Sequence, residues 1–529
     1  GFQQVRINGL DGPYTQILID SRPVFSALSG VYGLEQIPAS MIERVEVMRG
    51  GGSALFGSSA IAGTINIITK EPLRNSGQLS HTLTALGGGS SFDNNTSLNA
   101  SLVTDDHRAG LYIFGQNRHR SGYDYDGDGF TELPKLKNQT VGFRSYLKTS
   151  TYSKLTFEYH HMQEFRRGGD MLDRPPHEAH IAEQLQHSID GGSLKFDYFS
   201  PDEKNRLSIF ASAANTDRDS YYGPGNDPLK AYGKTTDLTA MGGAQYVHTF
   251  DKCFFMPSDL TAGLEYNRDR LKDNMWGYDR HTDQTVNIYS AFLQNEWKND
   301  RWGILIGGRL DKHNMVDNVI FSPRANLRFN PTQNINLRLS YSSGFRAPQA
   351  FDEDMHIENV GGTVAMIERA KNLKEEKSQS FSASADMYHR FGVFQTNFLI
   401  EGFYTRLTDV FVLGEPYDRG DGILVKTRSN GPGAKVMGLT LEGKVAYLSI
   451  LQIQAGLTLQ RSRYDEPHKW HDDAPAEKKI FRTPDTYGYF TATYTPIKPL
   501  SIALSGTYTG RMLVQRMDIT AENAELGAM

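Results

Sequence analysis

The stretch Tyr123-Asp124-Tyr125-Asp126-Gly127-Asp128-Gly129-Phe130-Thr131-Glu132 sets three aspartates at alternate positions, a glycine after the third and a glutamate soon afterwards. Carboxylate oxygens at this spacing can wrap around Ca²⁺, a hard cation that takes about six to eight oxygen ligands. The opening matches an EF-hand loop, but the flanks are strand-like and the twelfth position is Lys135 instead of Glu, which excludes an EF-hand. Asp124, Asp126, Asp128 and Glu132 therefore form a candidate loop calcium site, with an acidic solvated tip as the plainer alternative. A second charged set, Glu43, Arg44, Glu46 and Arg49, alternates in sign through IERVEVMRG. Hydrated ion pairs are weak enough to exchange, so such charges suit a part that is held and repeatedly released. Arg324, Arg346, Glu375 and Glu376 lie on later strands that could face them, the alternative being solvated charge with no gating role.

Other side chains point toward ligand contact. Tyr221, Tyr222, Trp276 and Tyr278 offer faces for stacking on a planar or corrin-like molecule, or they order the loops that carry them. His160 and His161 end a strand before Arg166-Arg167, His356 follows Pro348 in a long loop, and His468 and His471 flank Trp470. Each is a conceivable metal ligand, although surface histidines are usually ordinary polar residues. Catalysis has little support: the chain has no nucleophile elbow, no HExxH and no phosphate loop, since Gly51-Gly52-Ser53 lacks the Lys-Ser/Thr. The single Cys253 lies in a turn and cannot form an internal disulfide.

The elements that must position these groups are strands. From about Gln78 onward the chain is a series of 10–15-residue segments with period-two patterning. In Ile335–Tyr341 every odd position is apolar or aromatic and every even one polar, which gives one greasy and one wet face. Ser193–Phe199, Arg206–Ala211 and Ile502–Tyr508 repeat the pattern. Connectors alternate between short ones, such as 104–107, 200–205, 299–301, 330–334, 390–392 and 496–499, and longer polar ones near 120–140, 165–187, 221–233, 274–284, 346–376, 412–422 and 466–481. Transmembrane β-barrels place tight turns on one side and long loops on the other. The alternation predicts such a barrel with roughly 19 strands, and places the Asp124–Glu132 motif on the second external loop. Trp297, Trp302, Tyr487, Tyr489 and Tyr494 near strand ends suit interfacial girdles.

Composition agrees with this architecture without requiring it. Mean hydropathy is −0.49 and 38% of residues are hydrophobic, an average that a soluble protein and a wet-lumen barrel share. No apolar run approaches the roughly 20 residues of a transmembrane helix. A formal charge of −5 offers no basic footprint for nucleic acid. Residues 1–72 differ: Gln16–Asp20 reads as a buried strand with Arg22-Pro23 in the following turn, Ile37–Arg44 as a short helix, and Val45–Met48 and Thr64–Ile68 as strands. A small α/β unit followed directly by a barrel implies a pore that is closed by default.

Several of these stretches together resemble the TonB-dependent outer-membrane receptors. Arg6–Leu10 with Ile17–Pro23 is similar to that family's RG…LIDGVP segment, Ile37–Gly50 to IPxxxIERIEVLRG, and Ser53–Lys70 to SALYGxxAxGVINIITK. Gly344–Pro348 and Asn372–Ser378 resemble the FRAP and NLKPExS signatures of mid-barrel strands. The chain departs at Asn8 (usually Arg), Ser21 (usually Gly) and Gly51-Gly52 (usually Pro-Ala). The resemblance implies an α/β plug (residues 1–72, its C-terminal part) inside an all-β transmembrane barrel (residues 73–529) of about 22 strands when intact. It places the start of the plug, the TonB-contacting segment and about three strands outside this chain. It also implies that the charges of IERVEVMRG meet wall charges, that the chain lies in the bacterial outer membrane, that an inner-membrane TonB–ExbB–ExbD motor energises uptake, and that a metal chelate is imported across the outer-membrane lipids: a ferric siderophore, haem or cobalamin. His356 falls where the family's haem receptors carry a histidine, and some cobalamin receptors hold calcium near the second external loop. Alternatives are a cobalamin-specific receptor with loop calcium, and an oligosaccharide or peptide importer with a surface lipoprotein. A passive porin would have no plug.

Overall fold

In a computed structural model the described residues are 5–10, 12–23, 37–50, 52, 56–224, 231–355, 357–360, 363–469, 475–517 and 524–528. Two bodies of β-structure dominate. The first is a four-stranded sheet in the order Arg22–Pro23, Thr15–Ile19, Gly63–Thr69, Ile42–Arg49. Thr15–Ile19 runs parallel to Gly63–Thr69, while Ile42–Arg49 pairs with its other side antiparallel. Six of the seven residues of Gly63–Thr69 are buried, because the strand is covered on both faces and needs no alternation. The predicted helix at Ile37–Arg44 is not formed. Only Ala39–Met41 make a single 3₁₀ turn, and the chain is already extended from Ile42, whose β-branched run to Val47 favours the strand ladder.

Two departures from the family pattern are explained by turns in this sheet. Asn8 and Gly9 have φ of 49° and 70°, with Leu10 N–H donating to the Ile7 carbonyl at 3.1 Å, so an Asn-Gly pair suits the tight turn. Asp20 and Ser21, at φ 49° and 64°, turn Thr15–Ile19 back onto Arg22–Pro23. Serine is costly in this left-handed conformation, and Asn66 compensates: its Oδ1 accepts from Ser21 N–H at 2.8 Å and its Nδ2 donates to Ser21 Oγ at 3.2 Å.

The second body is a closed barrel of antiparallel neighbours from Ser76–Leu86 to Leu500–Thr509. Among the described residues twenty strands lie on its path: the three-residue Glu477–Lys479, which pairs with Leu451–His468, and nineteen long ones. Leu451–His468 also pairs directly with Thr486–Ile497. Polar residues such as Thr140, Thr440 and Thr458 are buried on the inner face, while Leu79, Leu264, Leu339 and Leu504 are exposed on the outer one. This is the inverse of a soluble core and the pattern of a lipid-facing wall. The strands are longer than their sequence pattern indicates: Asn205–Pro224, Tyr232–Cys253 and Met256–Met275 have 20, 22 and 20 residues. About 9–11 residues span a membrane, so these ladders continue well beyond it and absorb residues read as loop.

Aromatic pairs mark the short-turn end, with Trp297 stacked on Phe255 at 5.6 Å and Trp302 on Phe329 at 4.3 Å. Tyr487 and Tyr489 do not join that girdle. They pair with Thr458 and Gly456 on the face that contacts the inner sheet, so they look into the lumen. At the other end a five-stranded sheet is built from two connectors that read as polar loops: Glu358–Val360, Thr363–Arg369, Leu424–Asn430, Phe411–Leu413 and Tyr417–Asp418. A hairpin, Leu513–Met517 with Ala524–Ala528, follows the last barrel strand.

Candidate functional site: the plug–wall interface and the loop roof

The small sheet is seated in the lumen by two apolar contacts, one of them Met41 against Tyr112 and Phe114, by single hydrogen bonds such as that of Arg6 to the Arg482 carbonyl at 2.7 Å, and by three charged contacts. Ile7, Leu10, Ile61, Ala62, Ile65 and Ile67 pack against Phe403, Leu407 and Val436 of the wall. Hydrogen bonds to main-chain carbonyls join the two bodies as well: Ser59 N–H donates to the Phe345 carbonyl at 2.8 Å, and the Tyr112 hydroxyl to the Ser40 carbonyl at 2.6 Å.

The first polar contact is at Arg49. Its guanidinium lies 3.1 Å from Glu442 and 3.6 Å from Glu401, on two neighbouring wall strands. Burial opposes its charge, but the two carboxylates outweigh that and raise its pKa. The other charges of IERVEVMRG behave differently. Arg44 and Glu46 pair with each other at 2.9 Å and are exposed, with Glu46 also accepting from Asn66 at 3.3 Å. Glu43 makes no ion pair with the wall among the described residues.

The second contact joins Tyr14 to Glu376 and Arg346. The Tyr14 hydroxyl donates to Glu376 Oε1 at 2.8 Å, the Phe411 N–H donates to the same oxygen at 2.6 Å, and Arg346 approaches Oε2 at 3.7 Å. Glu376 is fully buried, and Arg346 also lies over the rings of Phe351 at 4.2 Å and Tyr14 at 5.8 Å. Burial and then the Glu376 charge push the Tyr14 pKa well up, so the phenol stays a donor. Tyr14→Phe strips one bond from this carboxylate and is expected to cost about 1–3 kcal/mol. A thermal-unfolding comparison with the unaltered chain checks it, and an unchanged midpoint rules the contact out as a fastening. Two predicted wall partners are elsewhere: Glu375 pairs with Lys377 at 2.9 Å, and Arg324 faces the lumen with no ion pair to the plug among the described residues.

The third contact is the largest, and the sequence reading missed it. Arg144 of the wall touches Asp20 at 2.6 Å, Glu158 at 2.8 Å and Glu71 at 3.1 Å, and also bonds Thr69. Arg22 adds a bond to Glu158 at 3.2 Å, and Lys154 one to Glu71 at 3.0 Å. The turn at Asp20-Ser21 aims the Asp20 carboxylate, which also accepts from Thr69 N–H at 3.0 Å and from its hydroxyl at 2.6 Å. Arg144 and Glu158 are direct cross-strand neighbours, both inward between outward aromatics Phe143 and Phe157. That matched pair of opposite charges in one register was the available signal.

The loop end is roofed. Tyr221, Tyr222 and Tyr278 lie inside an apolar cluster with Leu185, Met275 and Ile423, and Tyr278 Oη donates to the Tyr222 carbonyl at 2.9 Å. Their rings order loops and present no stacking face; Trp276 alone of the four is open, at 58% exposure. The roof sheet is pinned by Arg428 on Asp354 at 2.6 Å and by Arg369 on the Gln284 side chain and the Pro348 carbonyl, at 2.9 and 3.2 Å. His160 and His161 point to opposite faces of their strand, His161 bonding Asp190 at 2.8 Å, so they do not share a ligand. The His468 ring lies tilted beside that of Tyr464, with centroids 5.8 Å apart. His356, Trp470 and His471 lie outside the described residues.

The acidic loop does converge. Carboxylate oxygens of Asp124, Asp126, Asp128 and Glu132 all lie within 4.8 Å of one another. The loop braces itself: Asp124 accepts from Gly127 and Gly129 N–H at 2.7 and 2.9 Å, and Glu132 from Tyr125 N–H at 2.5 Å. Gly127 and Gly129 supply φ of 80° and 92° for this curl.

A plug fastened inside a closed barrel defines a stoppered membrane pore. Comparison with known proteins gives the class its name. The TonB-dependent receptor-like β-barrel family matches residues 62–518, and the TonB-dependent receptor plug domain matches residues 1–64. The chain belongs to the TonB-dependent receptors, which are outer-membrane proteins. It is 25% identical over 364 residues to the vitamin B12 transporter BtuB of Vibrio vulnificus, covering 66% of this chain and 54% of that one. It is 26% identical, again over 364 residues, to an iron-regulated outer membrane virulence protein of Vibrio cholerae, covering 65% and 51%. The chain thus spans about half the length of these curated relatives. Among solved structures it is similar to the siderophore receptor PirA from Acinetobacter baumannii, with TM-score 0.79, 18% identity, and 96% of this chain and 80% of that one covered. That likeness bears on the fold.

Proposed function

We propose that the chain forms the gated body of an importer that takes up a scarce metal chelate and is driven by a TonB–ExbB–ExbD motor. The supporting observation is the manner in which the lumen is stopped. Ion pairs at Arg49 and Arg144 join plug to wall through side chains alone, so they can part and re-form without either body unfolding, whereas a passive pore needs no such fastening. Ferric siderophores, haem and cobalamin share the class; relatives are named both as a B12 transporter and as iron-regulated, and iron complexes are the broader choice.

The acidic loop adds a specific element to this reading. Four converging carboxylates repel one another unless a cation lies among them, and a hard oxygen set suits Ca²⁺. Asp124, Asp126, Asp128 and Glu132 would hold the ion, which would supply charge neutralisation and stiffen the loop beside the ligand's path. Binding of cobalamin, haem and ferric siderophores to the purified receptor, with and without Ca²⁺, tests both statements. A ferric siderophore or haem bound at submicromolar concentration supports the iron reading. Cobalamin bound alone, and lost in Asp126→Ala with Asp128→Ala, overturns it in favour of a cobalamin receptor.

A further inference from the structure

One buried carboxylate oxygen of the wall holds a plug residue and a roof residue together. Glu376 and Arg346 are cross-strand partners at the loop end of the barrel. Glu376 Oε2 accepts no hydrogen bond among the described residues, so Oε1 carries both: one from the Tyr14 hydroxyl of the plug at 2.8 Å, the other from Phe411 N–H at 2.6 Å. Phe411 opens Phe411–Leu413, the roof strand that pairs with Leu424–Asn430. The cation repeats the arrangement. Arg346 lies over the Tyr14 ring at 5.8 Å and over the Phe411 ring at 5.5 Å. Each member of the wall pair therefore touches both bodies that close the lumen.

Tyr14 is tied into the plug by its backbone. Its carbonyl accepts from Ile61 and Ala62 N–H at 3.1 and 2.8 Å, and the chain runs from it straight into Thr15–Ile19. Beside this tie, Ser59 N–H of the plug bonds the carbonyl of Phe345, the residue before Arg346. On the roof side the charge of Arg428, which pins the sheet on Asp354, also reaches Glu376. In a dry site a hydrogen bond is worth more than in water. If the Tyr14 hydroxyl is withdrawn, lumen water takes its place at Oε1, raises the local dielectric and competes with Phe411 N–H. The tie to the roof then weakens along with the tie to the plug.

We propose that Glu376 is a positioning residue that couples the roof to the plug: a seated Tyr14 fixes the roof strand at Phe411, and a roof lifted at Phe411 slackens the seat of Tyr14. Coupling between two sites is reciprocal, so the factor is the same in both directions. A plug drawn from its seat frees the roof from within, and anything that displaces the roof loosens the plug. The coupling is a property of the closed chain and does not depend on which cargo passes.

Hydrogen exchange on the whole purified chain in detergent, with no ligand added, tests the coupling. Glu376→Ala would remove the wall pair itself, so the milder Tyr14→Phe, which keeps the ring, is the variant to use. Roof amides of Leu424–Asn430 should exchange about fivefold faster in Tyr14→Phe than in wild type, while those of the wall strand Met256–Met275 stay unchanged. In the other direction, Arg369→Ala frees the roof from Gln284 and Pro348 and should speed exchange in Thr15–Ile19. Both changes act through one carboxylate, so the double variant should show less than the product of the two effects on Thr15–Ile19. Unchanged roof exchange in Tyr14→Phe overturns the proposal, as do fully multiplicative effects in the double variant. An equal rise in Met256–Met275 also overturns it, since the change would then be a general loss of stability.

Discussion

A plug tied to the wall between positions 20 and 144 is expected to leave ligand binding intact and to abolish uptake. Asp20→Cys and Arg144→Cys, joined by a short cleavable thiol linker, place the tie where plug and wall already meet at 2.6 Å. Cys253, the one native cysteine, would first be made serine so that the linker has a single destination. The geometry makes the effect all-or-none. Thr69 and Asp20 both bond Arg144, so a covalent link there immobilises the central strand and the turn beside it together. Uptake of a radiolabelled chelate should vanish on linking and return on cleavage, with surface binding equal in both states. Undiminished uptake by the linked protein would remove plug motion from the transport cycle.

Removing the shared cation should have the opposite effect, a plug too loosely held. In Arg144→Ala, Asp20, Glu158 and Glu71 face one another, with Arg22 and Lys154 as the remaining cations. Asp20, Glu158 and Arg144 are each less than one-fifth exposed. Breaking a buried pair by removing one partner costs about 3–5 kcal/mol, and the wet lumen places this case at the lower end, about 3 kcal/mol. Hydrogen exchange should rise through Thr15–Ile19 and Gly63–Thr69, and a bulky antibiotic normally excluded should leak through. Exchange no faster than in wild type would show that the remaining contacts seat the plug without Arg144. Acid should imitate the variant. Burial pushes the Asp20 pKa up, but Arg144 and the two Thr69 bonds outweigh it, so the folded value lies below the ordinary 3.8. A depressed carboxylate stabilises the seated state fully above its unfolded value and loses that contribution as pH falls through the folded one. Seating should therefore hold down to about pH 4 and weaken below it.

These two contacts also show what was legible beforehand. Period-two patterning and the alternation of short and long connectors disclosed the barrel, because each strand's two faces meet different solvents. Arg49 was found because it lies in a stretch whose family resemblance names its role. Asp20 and Arg144 were not, since their partnership joins a turn to a strand 124 residues away, and only the register reveals which face each shows. The tyrosines failed for a related reason. An exposed-looking aromatic loop and a roofed one have the same composition, and Tyr221 and Tyr278 are distinguished only by loops folding over them. The helix expected at Ile37–Arg44 gave way to tertiary pairing with Gly63–Thr69, which outweighs local propensity.

The parallel pairing of Thr15–Ile19 with Gly63–Thr69 has a mechanical consequence. The central strand runs on through Glu71 into the wall, so a load entering ahead of Thr15 leaves beyond Thr69 at the opposite end of the ladder. Two parallel strands loaded at opposite ends slide along their common axis, and every rung from Thr15–Gly63 to Ile19–Ile67 bears the tension at once. The sheet then resists tearing as a unit, while the lateral ties at Arg49 and Arg144 are loaded piecemeal. Under traction the stopper is built to come away from its seat before it comes apart.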